Sequence, residues 1–261
     1  MHSLFRTIII CAGILTSSMA IAQTNWARVF SGALKVGQAM TITNEQLAEA
    51  VKDEVEEMDR RNKVCPANSK YALRLKRITK GMTDADGIKL NFKVYQTTEY
   101  NAFACPDGSV RIFSALMDIL SDEELLGVIG HEIGHVALRH SKKAWRSALL
   151  RSAASDAVGS VSSTWADLSD SYLGNITSAA LSAKHSRYHE TQADDYGYNY
   201  LKKCGKNPWA MGLAFKKLTD LSKEKDSKYQ KLLSAFSSHP DFDERIERMR
   251  GKAKKDGYRC D

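Results

Sequence analysis

Apolar residues recur at the spacing of an amphipathic helix in several segments of this 261-residue chain. One such segment covers residues 43–61, and another begins after Pro66 and continues to Met82. Ser121 followed by Glu124 forms a capping box, which predicts the start of a long helix. Further helices are predicted over residues 186–204, 209–222 and 242–254.

Strand patterns interrupt the helices in the first half of the chain. Residues 89–97 alternate between apolar and polar side chains, which predicts a half-buried strand. Residues 100–104 and 109–113 predict two more strands, because Pro106-Asp107-Gly108 between them is a turn sequence. We therefore expect an α+β fold that is mostly helical and contains a small antiparallel or mixed sheet.

The first 22 residues have the features of a secretory signal peptide. Arg6 precedes an apolar run over residues 7–15, and Ala20-Ile21-Ala22 is a cleavage site of the small-x-small type. The run is shorter than the ~20 apolar residues that span a bilayer, so we predict cleavage after Ala22 and a periplasmic protein. We do not expect a lipid anchor at Cys11, because this cysteine lies inside the apolar run and follows Ile10.

Four cysteines follow the predicted signal peptide, and an even number in an exported protein predicts disulfides. They allow three pairings. We favour Cys65–Cys105 and Cys204–Cys260, because each bond would tie a terminal segment to the body of the protein. No two of these cysteines are close in sequence, so we do not expect a cysteine zinc site.

The chain carries a formal net charge of +7, and part of the surplus comes from basic residues near the C-terminus. Aromatic residues do not alternate with these basic residues, so we do not expect a nucleic-acid partner. We interpret the basic residues as a solvated helix face and tail. The alternative is attraction to an anionic membrane surface or to an acidic partner.

The strongest indication of chemistry is the run His131-Glu132-Ile133-Gly134-His135. Positions i and i+4 share one face of a helix, so the imidazoles of His131 and His135 can bind one metal ion. Glu132 lies about 100° round the helix, where it can act on water as a base instead of binding the metal. Apolar residues surround the motif, and buried polar side chains need partners. The alternative is a satisfied pair of core histidines.

A catalytic zinc ion needs a third protein ligand, for which Glu190 is the candidate. Asp194 lies one turn further along the same predicted helix, where its carboxylate can accept the ring N–H of a ligand histidine. The alternative for Glu190 is an exposed helical charge. His185 and His189 are rival ligands, but neither shares a helix face well with Glu190. We expect surface or supporting roles for both and for His140.

Together these motifs resemble the gluzincin metalloproteases of the HtpX, Oma and LoiP type, and among them the small periplasmic LoiP-like members most. The resemblance rests on residues 130–135 and 190–194, and it extends to residues 101–104, to residues 108–113, and to His239-Pro240 followed by Arg245. It covers roughly residues 65–250. It implies a mostly helical, zincin-type α+β domain whose small sheet packs against the HExxH helix.

The resemblance also implies the roles of the central residues. His131, His135 and Glu190 would bind one zinc ion per chain. Glu132 would be the general base, and Asp194 would support the ligands from behind.

Further roles follow from the same resemblance for residues outside the two helices. His239 would face the metal ion and stabilise negative charge that develops on the substrate, and Arg245 would brace the C-terminal region against the site. The strand formed by Asn101, Ala102, Phe103 and Ala104 would bind an extended peptide. An imidazole so close to the metal ion could also bind it. His239 is therefore a candidate gate as well.

These assignments predict an exported zinc endopeptidase that cleaves unfolded or misassembled envelope proteins and contacts the membrane or the outer-membrane assembly machinery peripherally. The alternative is a chaperone-like envelope protein that binds clients with little proteolysis. The intact base Glu132 argues against it, because structural zinc sites usually fill all four positions with protein ligands.

We divide the chain into four parts on this basis. They are a signal peptide (1–22), an N-terminal helical segment (23–64), a zinc metalloprotease domain (65–250) and a basic C-terminal tail (251–261). Within the third part we expect a loop near residues 159–174, which is either a lid over the cleft or a plain connector.

Overall fold

The structure, a computed structural model, describes residues 43–156, 170–224 and 238–261. The chain divides into two units, Met1–Ile42 with Arg146–Ile176, and Thr43–Trp145 with Thr177–Asp261. The larger, second unit contains the described residues of the candidate site. The predicted signal peptide lies outside the described residues, as does most of the predicted loop near residues 159–174.

Most of the described residues in regular structure are in helices, and the strands are short, which confirms the predicted α+β class. In chain order the elements are α1 (Asn44–Arg61), α2 (Lys70–Ile78), β1 (Asp84–Ala85), β2 (Ile88–Lys89), β3 (Asn91–Tyr95), β4 (Ala102–Ala104), β5 (Ser109–Phe113), α3 (Ser114–Ile119), α4 (Asp122–Ala137), α5 (His140–Asp156), α6 (Asp170–Leu181), α7 (Arg187–Lys203), α8 (Trp209–Ser222) and α9 (Phe242–Lys255). Among the described helices, none has the length and apolar character of a membrane span.

The main sheet is mixed and has the order β3-β5-β4. Strand β5 runs parallel to β3, with Tyr95 opposite Phe113, and antiparallel to β4, with Ala104 opposite Val110. The turn between β4 and β5 requires glycine at position 108, where φ is +88° and a Cβ atom would lie 2.1 Å from the carbonyl oxygen of Lys89. Strand β4 is an edge of this sheet, because only β5 pairs with it among the described strands.

Strands β1 and β2 form a separate two-stranded hairpin that the apolar pattern did not predict. Asp86 and Gly87 connect them with positive φ angles of 52° and 81°. Each strand has only two residues, which is too short for alternation to be visible in the sequence.

Helix α4 is the centre of the larger unit. The predicted capping box is present at its start: the Ser121 hydroxyl accepts from the Glu124 amide, and the Glu124 carboxylate accepts from the Ser121 amide. From Glu124 to Ala137 every residue is buried. Helix α7 packs very closely against α4: a Cβ atom on Gly130 of α4 would lie 3.0 Å from the Cα atom of Gly197 on α7. The close approach brings the polar residues of both helices together.

A buried arginine joins the sheet to helix α1. The guanidinium of Arg111, on the central strand β5, donates to both carboxylate oxygens of Asp59 at 2.8 and 2.9 Å. Lys93 and Tyr95 also donate to Asp59. Burial by itself would raise the pKa of Asp59, but these hydrogen bonds outweigh it, so that the pKa lies below its ordinary value. The carboxylate is therefore ionised and holds α1 against the sheet at neutral pH.

The structure contradicts the predicted disulfides, because Cys65, Cys105, Cys204 and Cys260 are all free thiols. Cys65 hydrogen-bonds the outer edge of β3 through its amide, whereas Cys105 follows β4 at the opposite edge of the sheet. Two strand spacings of about 4.8 Å separate β3 from β4, so the two cysteines exceed the Cα separation of roughly 4.4–6.8 Å that a disulfide needs. The Cys260 thiol instead faces backbone carbonyl oxygens, at 3.6 and 3.8 Å.

Candidate metal centre

Two helices supply the predicted metal ligands. His131 and His135 lie one turn apart on α4, and their Nε2 atoms are 3.1 Å apart. Glu190 lies near the start of α7, with its carboxylate oxygens 3.4 Å from Nε2 of His135 and 3.5 Å from Nε2 of His131. The glycine contact between α4 and α7 makes this approach sterically feasible. All three side chains are buried.

His239 joins this group from the segment that precedes α9. Its Nδ1 atom lies 3.1 Å from a Glu190 oxygen and 3.2 Å from Nε2 of His131. One donor atom from each of the four residues lies within 4.8 Å of the other three. Tetrahedral zinc with metal–nitrogen bonds of ~2.0–2.1 Å places its ligand atoms about 3.3 Å apart. The spacings of 3.1–3.5 Å fit such an ion.

The His131 end of the site is backed by a buried ion pair. Nδ1 of His131 lies 2.9 Å from a carboxylate oxygen of Asp194, and Arg245 donates to both oxygens of that carboxylate at 2.7 and 2.9 Å. Arg245 also lies 2.6 Å from Glu190. Burial would raise the pKa of Asp194, but the guanidinium of Arg245 outweighs it and holds this pKa below its ordinary value. Asp194 thus presents a charged acceptor to the ring N–H of His131.

Glu132 is buried beside the four donor groups but is not one of them. Its carboxylate lies 3.6 Å from Nε2 of His239. Burial raises the pKa of Glu132, against the opposing influence of His239 and His131. A carboxylate with a raised pKa is a better proton acceptor at neutral pH, which suits general-base chemistry.

Comparison with known proteins agrees with this geometry. The model of peptidase family M48 matches residues 69–253, which include both ligand helices and His239. The chain belongs to peptidase family M48. This membership confirms the family resemblance, and makes the chain a metalloprotease that acts on polypeptides.

Two relatives match this M48 peptidase over almost its whole length. Metalloprotease LoiP of Escherichia coli (strain K12) is 32% identical over 97% of the chain and 99% of its own length. Metalloprotease YcaL of the same strain is 34% identical over 95% of the chain and 96% of its own length. A beta-barrel assembly-enhancing protease of Yersinia pestis is 29% identical over 66% of the chain and 36% of its own length.

The predicted substrate strand lies next to the metal centre of the M48 peptidase. Residues 101–104 line a cavity together with Glu132 and His239. The sequence did not indicate two further lining residues, Trp145 and Leu181, which come from helices α5 and α6. The space that the cavity offers to solvent is about 40 Å³.

The three histidines with expected surface or supporting roles form a second layer outside His135. Nδ1 of His140 lies 3.1 Å from Nδ1 of His135, and the ring of His185 stacks on His135 with centroids 4.0 Å apart. His189 stacks on His140 at 4.1 Å. Burial lowers the pKa of His140 to about 4 and that of His185 to about 3, so both rings are neutral at physiological pH. None of the three belongs to the four-donor group.

Proposed function

We propose that this M48 peptidase is an exported zinc endopeptidase that cleaves extended segments of unfolded or misassembled envelope proteins. One observation carries the proposal: a buried group of four metal donors, with Glu132 beside it, lies next to the edge strand β4. The names of the relatives support an envelope role, because one of them is a beta-barrel assembly-enhancing protease. Peripheral contact with the membrane or with the assembly machinery for outer-membrane proteins belongs to the same proposal.

His131, His135 and Glu190 are the proposed zinc ligands, with one ion per chain. When bound, zinc supplies a Lewis acid that polarises the scissile carbonyl group and lowers the pKa of water. The donor set of two neutral imidazoles and one carboxylate is that of many catalytic zinc sites. Asp194 fixes the tautomer of His131 with its proton on Nδ1, which leaves Nε2 free for the metal.

Glu132 is the proposed general base. Its carboxylate accepts a proton from the attacking water and then passes this proton to the leaving nitrogen of the cleaved peptide bond. Its raised pKa favours the first transfer.

His239 has two proposed roles that depend on the position of its loop. Its Nδ1 atom lies among the four donor atoms, so a bound ion would have no open position for water while His239 stays there. After the loop moves, the same imidazole can donate to the oxyanion that develops on the substrate carbonyl. Because His239→Ala also removes the oxyanion donor, the gate is tested by binding and not by rate: a gate predicts that His239→Ala binds a zinc-directed peptide hydroxamate more tightly than wild type at saturating zinc, and unchanged binding argues against it.

The proposed substrate adds as a strand beside Ala102, Phe103 and Ala104. Main-chain hydrogen bonds along a sheet edge bind extended polypeptide with little dependence on sequence. The cavity of about 40 Å³ cannot hold a peptide, so the cleft must widen before binding. A flexible, unfolded chain can enter such a cleft more easily than a folded domain.

The experiment that tests the proposal compares wild type with Glu132→Gln. The amide keeps the size of the side chain but cannot accept the proton, so we expect cleavage of casein to fall by ~10³-fold or more while bound zinc stays at one ion per chain. Cleavage should also stop in the presence of a chelator. Full activity in Glu132→Gln would refute the assignment. A wild type that cleaves little casein, and that still binds unfolded clients in excess chelator, would support the chaperone-like alternative.

A further inference from the structure

The second ligand histidine is backed by a chain of neutral hydrogen-bonding groups. Nδ1 of His135 faces Nδ1 of His140 at 3.1 Å. On the far side of its ring, Nε2 of His140 lies 3.2 Å from the amide oxygen of Gln192. The amide nitrogen of Gln192 then donates to the hydroxyl of Tyr188 at 3.2 Å. The chain runs from the metal centre to the protein surface, where Tyr188 is 68% exposed.

The proton positions along this chain follow from the role of His135. A metal ion on Nε2 of His135 requires the proton of that ring on Nδ1, which therefore donates to His140. Nδ1 of His140 must then be the bare acceptor, so the proton of its neutral ring sits on Nε2. That N–H donates to the only kind of atom that can receive it, the amide oxygen of Gln192. One assignment satisfies every donor and acceptor of the two imidazoles.

We propose that His140 is a positioning residue, which with Gln192 fixes the tautomer and orientation of His135 and thereby sets the zinc affinity. This inference rests on the proposed function, because it takes His135 to be a zinc ligand through Nε2. His140 touches neither the ion nor the substrate, and it acts through the ligand ring alone.

Ring stacking holds the two histidines in this arrangement. His185 packs on His135 with an interplanar angle of 27°, and His189 packs on His140 with an angle of 20°. His135 and His140 are 1% and 2% exposed. Because water cannot replace the hydrogen bond between them, its loss should be visible in zinc binding.

A series of substitutions at position 140 tests this role. Asn can offer its side-chain oxygen near the place of Nδ1, Asp offers a charged acceptor there, and Leu fills similar space without an acceptor. We expect His140→Leu to weaken zinc binding by roughly 10- to 100-fold. His140→Asn should restore most of this loss, and His140→Asp should bind zinc at least as tightly as wild type.

The measurement is a zinc titration of the full chain against a chromophoric chelator. Thermal unfolding in excess chelator serves as the control, because the variants should unfold within a few degrees of one another without zinc. The proposal is overturned if Leu and Asn weaken binding equally, or if Leu leaves it unchanged. It is also overturned if wild type binds two zinc ions and His140→Leu only one, because His140 would then be a ligand of a second site.

His135→Ala in the same titration separates this inference from the proposed function. Loss of zinc in His135→Ala but not in His140→Leu overturns the positioning role alone. Retention of tight zinc binding in His135→Ala overturns the proposed metal centre itself.

Discussion

The two proposed ligand histidines lie one turn apart on the same helix, yet the protein supports them in different ways. His131 donates its ring N–H to the carboxylate of Asp194. The buried guanidinium of Arg245 balances the negative charge of that carboxylate. His135 donates its ring N–H to the neutral ring of His140, and the chain of hydrogen bonds continues from there to the surface. Hydrogen bonds to charged acceptors are about twice as strong as neutral ones. We therefore expect the His131 half to contribute more to zinc affinity than the His135 half.

The difference follows from which helices pack around His131 and which pack around His135. Helix α7 supplies both the third ligand and, one turn later, Asp194, and helix α9 covers that side with Arg245. Aromatic rings of Phe215 and Phe242 pack on the Arg245 guanidinium at 4.4 and 5.2 Å. On the other side the chain turns at Arg139, with a φ of 63°, and starts α5 at His140. A charged pair is therefore buried in one half, whereas the hydrogen-bond chain of the other half ends at the exposed hydroxyl of Tyr188.

The largest expected effect comes from removing the charged acceptor. Asp194→Ala leaves the ring N–H of His131 without a partner and Arg245 with Glu190 as its remaining carboxylate. We expect zinc affinity to fall by ~100-fold or more and the free energy of unfolding of the zinc-free protein to fall by about 3 kcal/mol. Chelator competition and urea unfolding measure the two quantities.

The neighbouring residue provides a matched control for that experiment. Asp195 also pairs with basic residues of α9, Arg248 and Lys252, but it lies at the partly exposed side of α7. Asp195→Ala should cost about 1 kcal/mol or less and leave zinc affinity unchanged. Equal effects on zinc affinity at positions 194 and 195 would mean that the ion pairs between α7 and α9 matter at Asp194, and not its hydrogen bond to His131.

A smaller effect is expected when the two halves are made alike. Asp194→Asn keeps the shape of the side chain and an acceptor oxygen but removes the charge, so zinc affinity should fall by roughly 10-fold. Adding His140→Asp moves a charged acceptor to the other half, and the double variant should regain part of the loss. A double variant that binds zinc more weakly than Asp194→Asn would contradict this prediction. A charged acceptor hydrogen-bonded to either ligand histidine would then not be enough to raise the zinc affinity.

The sequence predicted one half of this comparison better than the other. Helical spacing pairs His131 with His135 and Glu190 with Asp194, and the structure brings the two pairs together through the close packing of α4 on α7. His140 could not be located in this way, because the chain leaves the helix at Arg139 before His140 turns back to His135.

The two errors in the fold have similar causes. The number of cysteines carries no information on where they lie in the fold, so the disulfide pairing was wrong. The β1–β2 hairpin was missed because two-residue strands show no periodicity, although Asp86-Gly87 is a typical hairpin turn.

The smallest effects are expected at the outer end of the neutral chain. Gln192→Leu leaves the Nε2–H of His140 without its acceptor, and a lost hydrogen bond of about 1 kcal/mol corresponds to a roughly fivefold weaker zinc affinity. Tyr188→Phe should change zinc affinity by less than about twofold, because water can take the place of an exposed hydroxyl. The zinc titration measures both. A loss of zinc affinity in Tyr188→Phe as large as that in Asp194→Asn would contradict the difference between the two halves. The exposed end of the neutral chain would then stabilise His135 as strongly as the buried carboxylate stabilises His131.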